Sequence, residues 1–173
     1  MTTFEIPVLH TERLTLRPFR ADDLDAYASM QADPEVMRYL GTGVTRTRAE
    51  SWDAIARMLG QWALRGTGQW VIEETATGAF VGRTGILHPY DWDGPEIAYA
   101  LARPFWGRGY ATEATHAVHR WAYEVRGLSG LVSYIRPENE ASKRVVTRLG
   151  AVRGADAELL GSIAEVWHHR PPA

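Results

Sequence analysis

The chain has 173 residues, 45% of them hydrophobic, which suits one domain with a real core. Its formal net charge of −2 argues against non-specific nucleic-acid binding, which needs a basic face. With no cysteine, a disulfide framework, a thiolate metal site and a Cys nucleophile are all excluded, and a reducing cytoplasm fits. The opening MTTFEIPVLHTERL carries Glu5 and lacks the apolar core of a signal peptide, and no run approaches the ~18 apolar residues of a membrane span. No repeat, low-complexity tract or linker divides the chain, so one domain over 1–173 is expected, with its core at about 9–169.

In chain order, Leu14 and Leu16 share one face of a strand within Leu9–Phe19, with Thr15 and Arg17 opposite. Asp22 or Asp23 can cap a helix to about Ala32 with Leu24, Tyr27 and Met30 at helical spacing, and Asp33-Pro34 starts a second. Thr47-x-x-Glu50 is a capping box opening a helix with Trp52, Ile55, Leu59 and Trp62 along one stripe, which Gly66 to Gly68 break. Gln69–Glu74 and Ala79–Ile86 read as a hairpin, followed by a loop from Leu87 to Pro95 holding aromatics and acids. That loop suits substrate contact or a solvated turn with a Trp lid.

Glu96 to Leu101 is a strand, with Ile97, Tyr99 and Leu101 alternating with small residues. Pro104 stops it, and Trp106-Gly107-Arg108-Gly109-Tyr110-Ala111 turns the chain into a helix reaching about Arg126, with Ala111, Ala114, Val118, Trp121, Ala122 and Val125 on the buried face. A strand, a Gly-x-Gly turn and a helix make an anion-binding design, because glycines admit close backbone approach and the helix start offers unpaired N–H groups. Two glycines alone also fit a plain turn. Leu128–Ile135 is the next strand, parallel to Glu96–Leu101 because a helix crosses over between them. Asn139 caps a last helix with Ala141, Val145, Val146 and Leu149. Ala151–Arg153 and Ser162–His168 are closing strands around a Gly/Ala/Asp-rich excursion, and Arg170–Ala173 reads as a frayed tail.

The wording WGRGYATEA after a strand opening Glu-Ile, the later PENEAS-x-R, and the opening LHTERLTLRPF…DPEVMRYL resemble the GNAT acetyltransferases, most of all their ribosomal-protein (RimJ/RimL-like) branch. The resemblance covers nearly the whole chain. It implies an α/β fold with a mostly antiparallel six- to seven-stranded sheet, a central parallel strand pair and helices on both faces. It implies an acetyl-CoA-dependent N-acetyltransferase, with a primary amine as acceptor (a protein N-terminus or a small molecule) and with homodimers common among its members. By the same resemblance, backbone groups of Tyr99, Ala100 and Leu101 meet the coenzyme arm, the Tyr99 region supplies the oxyanion donor, and Trp106, Gly107, Arg108, Gly109, Tyr110, Ala111 and Thr112 grip the diphosphate. The early helical region would wall the acceptor pocket, one of its tryptophans included. Pro104 departs from the family pattern, where Gln or Arg is usual, and removes one N–H.

Acetyl transfer also needs a neutral amine and a proton for the leaving thiolate. Glu96 is the candidate base; the residues alone equally allow a solvated strand-end carboxylate. Asp91 and Asp93, nearby, suit attraction of a cationic acceptor, and Glu113 in the first helical turn favours the dipole. Asn139 and Ser142 form an N-cap by spacing, and by resemblance they reach towards pantetheine and sulfur; Ser142 is the first candidate acid and Tyr134 the second. Arg144 fits either a coenzyme phosphate or the surface. His116 and His119 lack a third ligand, His168 and His169 point to opposite faces, and no metal is expected. No nucleophile elbow appears, so direct transfer in a ternary complex is preferred to an acyl-enzyme. A non-catalytic acyl-CoA-binding sensor module is the alternative. A phosphate-loop nucleotide enzyme is disfavoured because Tyr110, not Lys, follows Gly109.

Overall fold

The computed structural model describes residues 5–172; residues 1–4 of the stretch read for a signal, and Ala173 of the expected tail, lie outside it. The elements are β1 (Leu9–His10), β2 (Leu14–Arg17), α1 (Leu24–Ala32), α2 (Pro34–Met37), α3 (Arg48–Arg65), β3 (Gln69–Glu74), β4 (Ala79–Leu87), β5 (Glu96–Leu101), α4 (Tyr110–Arg120), β6 (Val132–Ile135), α5 (Glu140–Arg148), β7 (Val152–Leu159) and β8 (Ser162–His168). They build one eight-stranded sheet in the order β1-β2-β3-β4-β5-β6-β8-β7. Every neighbouring pair is antiparallel except β5 and β6, which the crossover helix α4 joins in parallel.

Local chemistry sets the helix ends. Thr47 Oγ1 accepts from the Glu50 amide at 3.2 Å while the Glu50 carboxylate accepts from the Thr47 amide at 2.7 Å, the reciprocal box that starts α3. Gly66 ends it in the left-handed region at φ 63°. One sheet face packs on α4 through Leu14, Leu16, Trp70, Ile72, Ile97, Leu101 and Val118, with Trp62, Trp70 and Trp121 edge-to-face at 4.7–5.6 Å. The other face packs on α1–α3 through Phe19, Tyr27, Ala54, Ile55, Val71 and Ala100. Arg17 ties that layer down: its guanidinium donates twice to Asp23, at 2.9 and 2.7 Å, and once to Glu73. This bidentate, largely buried pairing holds the Arg17 pKa above its ordinary value, the Asp23 hydrogen bond being the main cause.

Several expectations need correction. The sheet has eight strands rather than six or seven, because the strand expected within Leu9–Phe19 is two, β1 pairing onto β2; the strand expected at Ala151–Arg153 runs on through the Gly/Ala/Asp-rich excursion as the eight-residue β7. Its composition hides a strand that bulges at Arg153–Asp156. Val125 is 70% exposed rather than buried: α4 runs into a wider π turn over Trp121–Val125, where the Arg126 amide reaches back to the Trp121 carbonyl at 3.0 Å, rotating Val125 outwards. Trp52 is 47% exposed, since the stripe that α3 buries is Ser51, Ala54, Ile55, Met58 and Trp62. Residues 128–131 precede β6 as coil, with Gly127 and Gly130 at φ 63° and 67°. Ala141 is exposed. The C-terminal end is docked as far as Arg170, whose carbonyl lies 2.7 Å from His119 Nε2.

Candidate active site

β5 organises the site, and its two ends do different things. At its C-terminal end, Pro104 lies in a 3-10 turn, Arg103–Phe105, after which Gly107 and Gly109 take φ 75° and 80° before α4 begins. The N–H groups of the six consecutive residues Gly107 to Thr112 have no backbone acceptor among the described residues. A Cβ at Gly107 would meet nothing within 4 Å, so the glycine is required by its backbone angle and not by crowding. Such a row of free amides at a helix start fits a diphosphate.

The loop is braced from its far side. Arg13 donates to the Arg108 carbonyl at 3.0 Å and stacks over Tyr110 at 4.6 Å. Glu113 accepts from Thr11 Oγ1 at 2.6 Å, from the Arg13 amide at 2.8 Å and from Arg13 Nε at 2.7 Å. Glu113 is thus a structural tie between α4 and the β1–β2 turn, and these donors hold its pKa below the ordinary range against its own burial. The Tyr110 hydroxyl donates to Glu74, and Trp106 Nε1 to the Leu101 carbonyl at 2.8 Å. Arg108 stacks on Phe105 at 5.3 Å and lies 3.9 Å from the Glu74 carboxylate, so part of its charge is already engaged.

Towards this turn, β5 and β6 part. They register only at Glu96↔Val132, where the Val132 amide donates to the Pro95 carbonyl at 3.2 Å. One step on, the ladder is replaced by side chains: the Tyr134 amide donates to Glu96 Oε1 at 3.3 Å and Ser133 Oγ donates to the Ile97 carbonyl at 2.7 Å. The β4–β5 register turns the main-chain groups of Ala98, Ala100 and Ala102 to β4, as the Ala102-to-Val81 bond at 2.9 Å shows, so those of Ile97, Tyr99 and Leu101 face the gap. The amides of Tyr99 and Leu101 therefore point into an opening without a ladder partner. Ala100 offers no main-chain group there and packs its Cβ in the α1–α3 core.

Glu96 is buried at the closed end of the gap. Desolvation pushes its carboxyl up to about 8, against smaller downward pulls from the Tyr134 amide and the charge of Arg83. Tyr134 stacks edge-on against Trp92 at 5.4 Å, and burial, then Glu96 and Asp93, raise its phenol. Across the gap, Asn139 Oδ1 caps α5 through the Ser142 amide at 3.2 Å and Asn139 Nδ2 donates to Ser142 Oγ at 3.2 Å, leaving the Ser142 O–H free to donate. Tyr99 donates its hydroxyl to the Ser142 carbonyl at 3.2 Å, fixing the first turn of α5 on β5; burial raises this phenol well above its usual value. Arg144 is exposed.

A cleft of about 480 Å³ joins these groups, with Glu96, Tyr99, Tyr134, Asn139 and Ser142 on its walls. Its helical wall is Ala54, Arg57 and Met58 of α3 with Tyr27 and Gln31 of α1. The tryptophan expected there is absent from the lining: Trp62 is in the α4-side core and Trp52 faces outwards. The loop before β5 contributes Leu87, Pro89, Asp91 and Trp92. Sequence reasoning missed Gln69 and Arg83, two polar residues inside hairpin strands otherwise largely apolar; that interruption was the available signal.

Comparison with known proteins is decisive for the family. A family model described as "Acetyltransferase (GNAT) domain" matches residues 13–152. The chain belongs to the GNAT acetyltransferase family. It is an acetyl-CoA-dependent N-acetyltransferase. It is 33% identical to an acetyltransferase from Agrobacterium tumefaciens str. C58, with a TM-score of 0.85 and 98% of each chain covered. It is 30% identical over 160 residues, 87% of this chain and 67% of the relative, to the FsC-acetyl coenzyme A-N(2)-transacetylase of Aspergillus fumigatus. The ribosomal L7/L12 alpha-N-protein acetyltransferase RimL, solved in complex with coenzyme A, shares the fold at TM-score 0.75 and 18% identity, covering 94% of this chain and 96% of that one. For this GNAT chain the free amides after β5 and the parted strands fit the coenzyme's diphosphate and its arm. No helix of the described residues is long and apolar enough to cross a membrane.

Proposed function

We propose that the protein transfers acetyl from acetyl-CoA to a primary amine by direct attack in a ternary complex, with Glu96 as base and Ser142 as acid. The observation that carries this reading is the buried Glu96 carboxyl at the closed end of the β5–β6 gap, beside the unpartnered Tyr99 amide and across from a free Ser142 hydroxyl. The amides of Gly107 to Thr112 would hold the diphosphate, and the gap would take the pantetheine arm as if it were a strand. The Tyr99 N–H, which faces that gap, would meet the carbonyl oxygen as it becomes negative.

An alkyl ammonium has a pKa of ~10, so roughly one amine in a thousand is reactive at pH 7. Raising the base from 4.5 to about 8 brings it much nearer that of the ammonium it must deprotonate. The Glu96 carboxylate takes one proton from the ammonium; the neutral nitrogen then bonds to the acetyl carbon, the C–S bond breaks, the departing thiolate takes the Ser142 proton, and Ser142 is reprotonated by the second proton that leaves nitrogen, while Glu96 gives its proton up to solvent. Tyr134, on the Glu96 side of the gap, suits acceptor positioning better than thiolate protonation. The Aspergillus relative, named for transfer to an N(2) nitrogen, supports a nitrogen acceptor.

Thiol release from acetyl-CoA, measured with and without a panel of primary amines, tests the reading. Amine-dependent release is expected. Coenzyme binding without any such release would leave the sensor alternative in its place.

A further inference from the structure

The acceptor side of the cleft is cationic in a chain of net negative charge. Arg46, Arg57, Arg83 and Arg136 line it, and none forms an ion pair among the described residues. The carboxyls on the same lining are Glu96, which the transfer reading uses as base, and Asp91, which is exposed at the rim.

Within this lining, one arrangement is unfinished. Gln69, 3% exposed, and Arg83 stand on adjacent strands β3 and β4, and Arg83 Nη1 donates to Gln69 Oε1 at 2.7 Å. That bond orients both side chains and leaves Gln69 Nε2 and Arg83 Nε buried with no partner. Two buried donors left unpaired are costly, and their geometry is informative. With Nη1 occupied, the guanidinium keeps its Nε/Nη2 edge, the fork that accepts a carboxylate in two parallel bonds.

The position rules out two ordinary uses. Arg83 makes no contact within ion-pair distance of Glu96, so it is not the fixed counter-ion of the base. It pairs in register with Ala100, on the α1–α3 face of the sheet, whereas Tyr99 and the first turn of α5 lie on the opposite face, which the coenzyme arm is proposed to follow. The chain alternation that separates Arg83 from the coenzyme aligns it with Glu96, an even number of residues from Ala100 on the same face of β5.

We propose that the acceptor is a small amino-acid-type molecule whose free carboxylate, a few bonds from the reacting nitrogen, is held by Arg83 and Gln69. The inference rests on the acetyl-transfer reading above. It distinguishes a free amino acid from a protein N-terminus, in which that carboxyl is an uncharged amide. Tyr27, Met58, Trp92 and Tyr134 along the same cleft give the side chain an apolar bed, which favours apolar and aromatic amino acids.

The test is thiol release from acetyl-CoA with matched pairs: free apolar amino acids against their carboxamides and methyl esters, alongside calorimetry of acetyl-CoA binding. The derivatised amines are less basic, so more of each is neutral at pH 7, and a preference for the free acid cannot come from reactivity. The free acids are expected to win by about 10²-fold in kcat/KM, because buried donors at Arg83 Nε and Gln69 Nε2 left unpaired reject a neutral analogue. R83M should erase that preference through KM while acetyl-CoA affinity holds, and Gln69→Leu should weaken it in the same direction. Equal or better turnover of amides and esters, or a preference that survives R83M in folded protein, overturns the inference and leaves acetyl transfer standing. Loss of acetyl-CoA affinity in R83M also overturns it, by assigning the arginine to the coenzyme. Acetyl-CoA binding with no release for any amine overturns the inference and the transfer reading together.

Discussion

The two sides of β5 are built on opposite plans. The side proposed for the coenzyme is main chain: free amides after two glycines in left-handed conformation, and strand amides opened by a missing ladder. The side proposed for the acceptor is side chain: carboxyl, guanidinium, amide and phenol contributed by four strands and walled by α1 and α3. A main-chain site tolerates many side chains and fails through backbone angle. A side-chain site tolerates backbone variation and fails through single atoms.

The contrast can be broken most severely at Glu96. E96Q keeps the shape but removes the proposed base, and kcat is expected to fall by roughly 10²–10⁴-fold. In the wild type, kcat/KM should rise with pH through an apparent pKa near 8, a limb that E96Q lacks in pre-steady-state or steady-state profiles. Stability gives an independent reading of the same group. A folded pKa raised from 4.5 to about 8 contributes stability that is fully present below 4.5 and is lost as pH rises through about 8. Thermal unfolding of E96Q should therefore match the wild type at acid pH, gain on it as pH rises, and hold a constant lead above pH 8.

Next in size is the main-chain side. Gly107→Val forces a side chain to φ 75° with nothing nearby to clash against, so the turn should relax away from its present shape while the domain stays folded. Coenzyme affinity measured by calorimetry should drop by roughly 10²-fold, since several charge-assisted hydrogen bonds go at once. Ser142→Ala removes the proposed proton donor and should lower kcat by about 10²-fold with KM for acetyl-CoA little changed, the weak end of general acid effects. Smallest is Tyr99→Phe, which deletes the bond to the Ser142 carbonyl; about 1 kcal/mol of stability and a few-fold in kcat are expected, read by denaturant titration and steady-state rates.

The same contrast explains what the sequence made legible. Gly107, Gly109 and Pro104 impose local backbone geometry, and Thr47 with Glu50 or Asn139 with Ser142 act within four residues, so each is readable from its chain neighbours alone. Gln69 and Arg83 meet only because β3 and β4 pair in one register, and the Tyr134 amide reaches Glu96 only because β6 returns from a crossover. Such contacts have no local spacing to betray them. The π turn at Trp121–Val125 was hidden because its residues keep a helical pattern and nothing in their spacing marks the wider turn. β7 was obscured by its glycine and alanines, whose strand conformation comes from pairing with β8 rather than from propensity.

The central claim is that exposed main-chain groups on and after β5 hold the acyl carrier. Amide hydrogen exchange, followed residue by residue with and without coenzyme A, addresses it directly. Protection should appear at Gly107 to Thr112 and at Tyr99 and Leu101, and stay unchanged at Ala98 and Ala100, which already bond to β4. Saturating coenzyme binding that leaves the amides of Gly107 to Thr112 exchanging as in the free protein would contradict it.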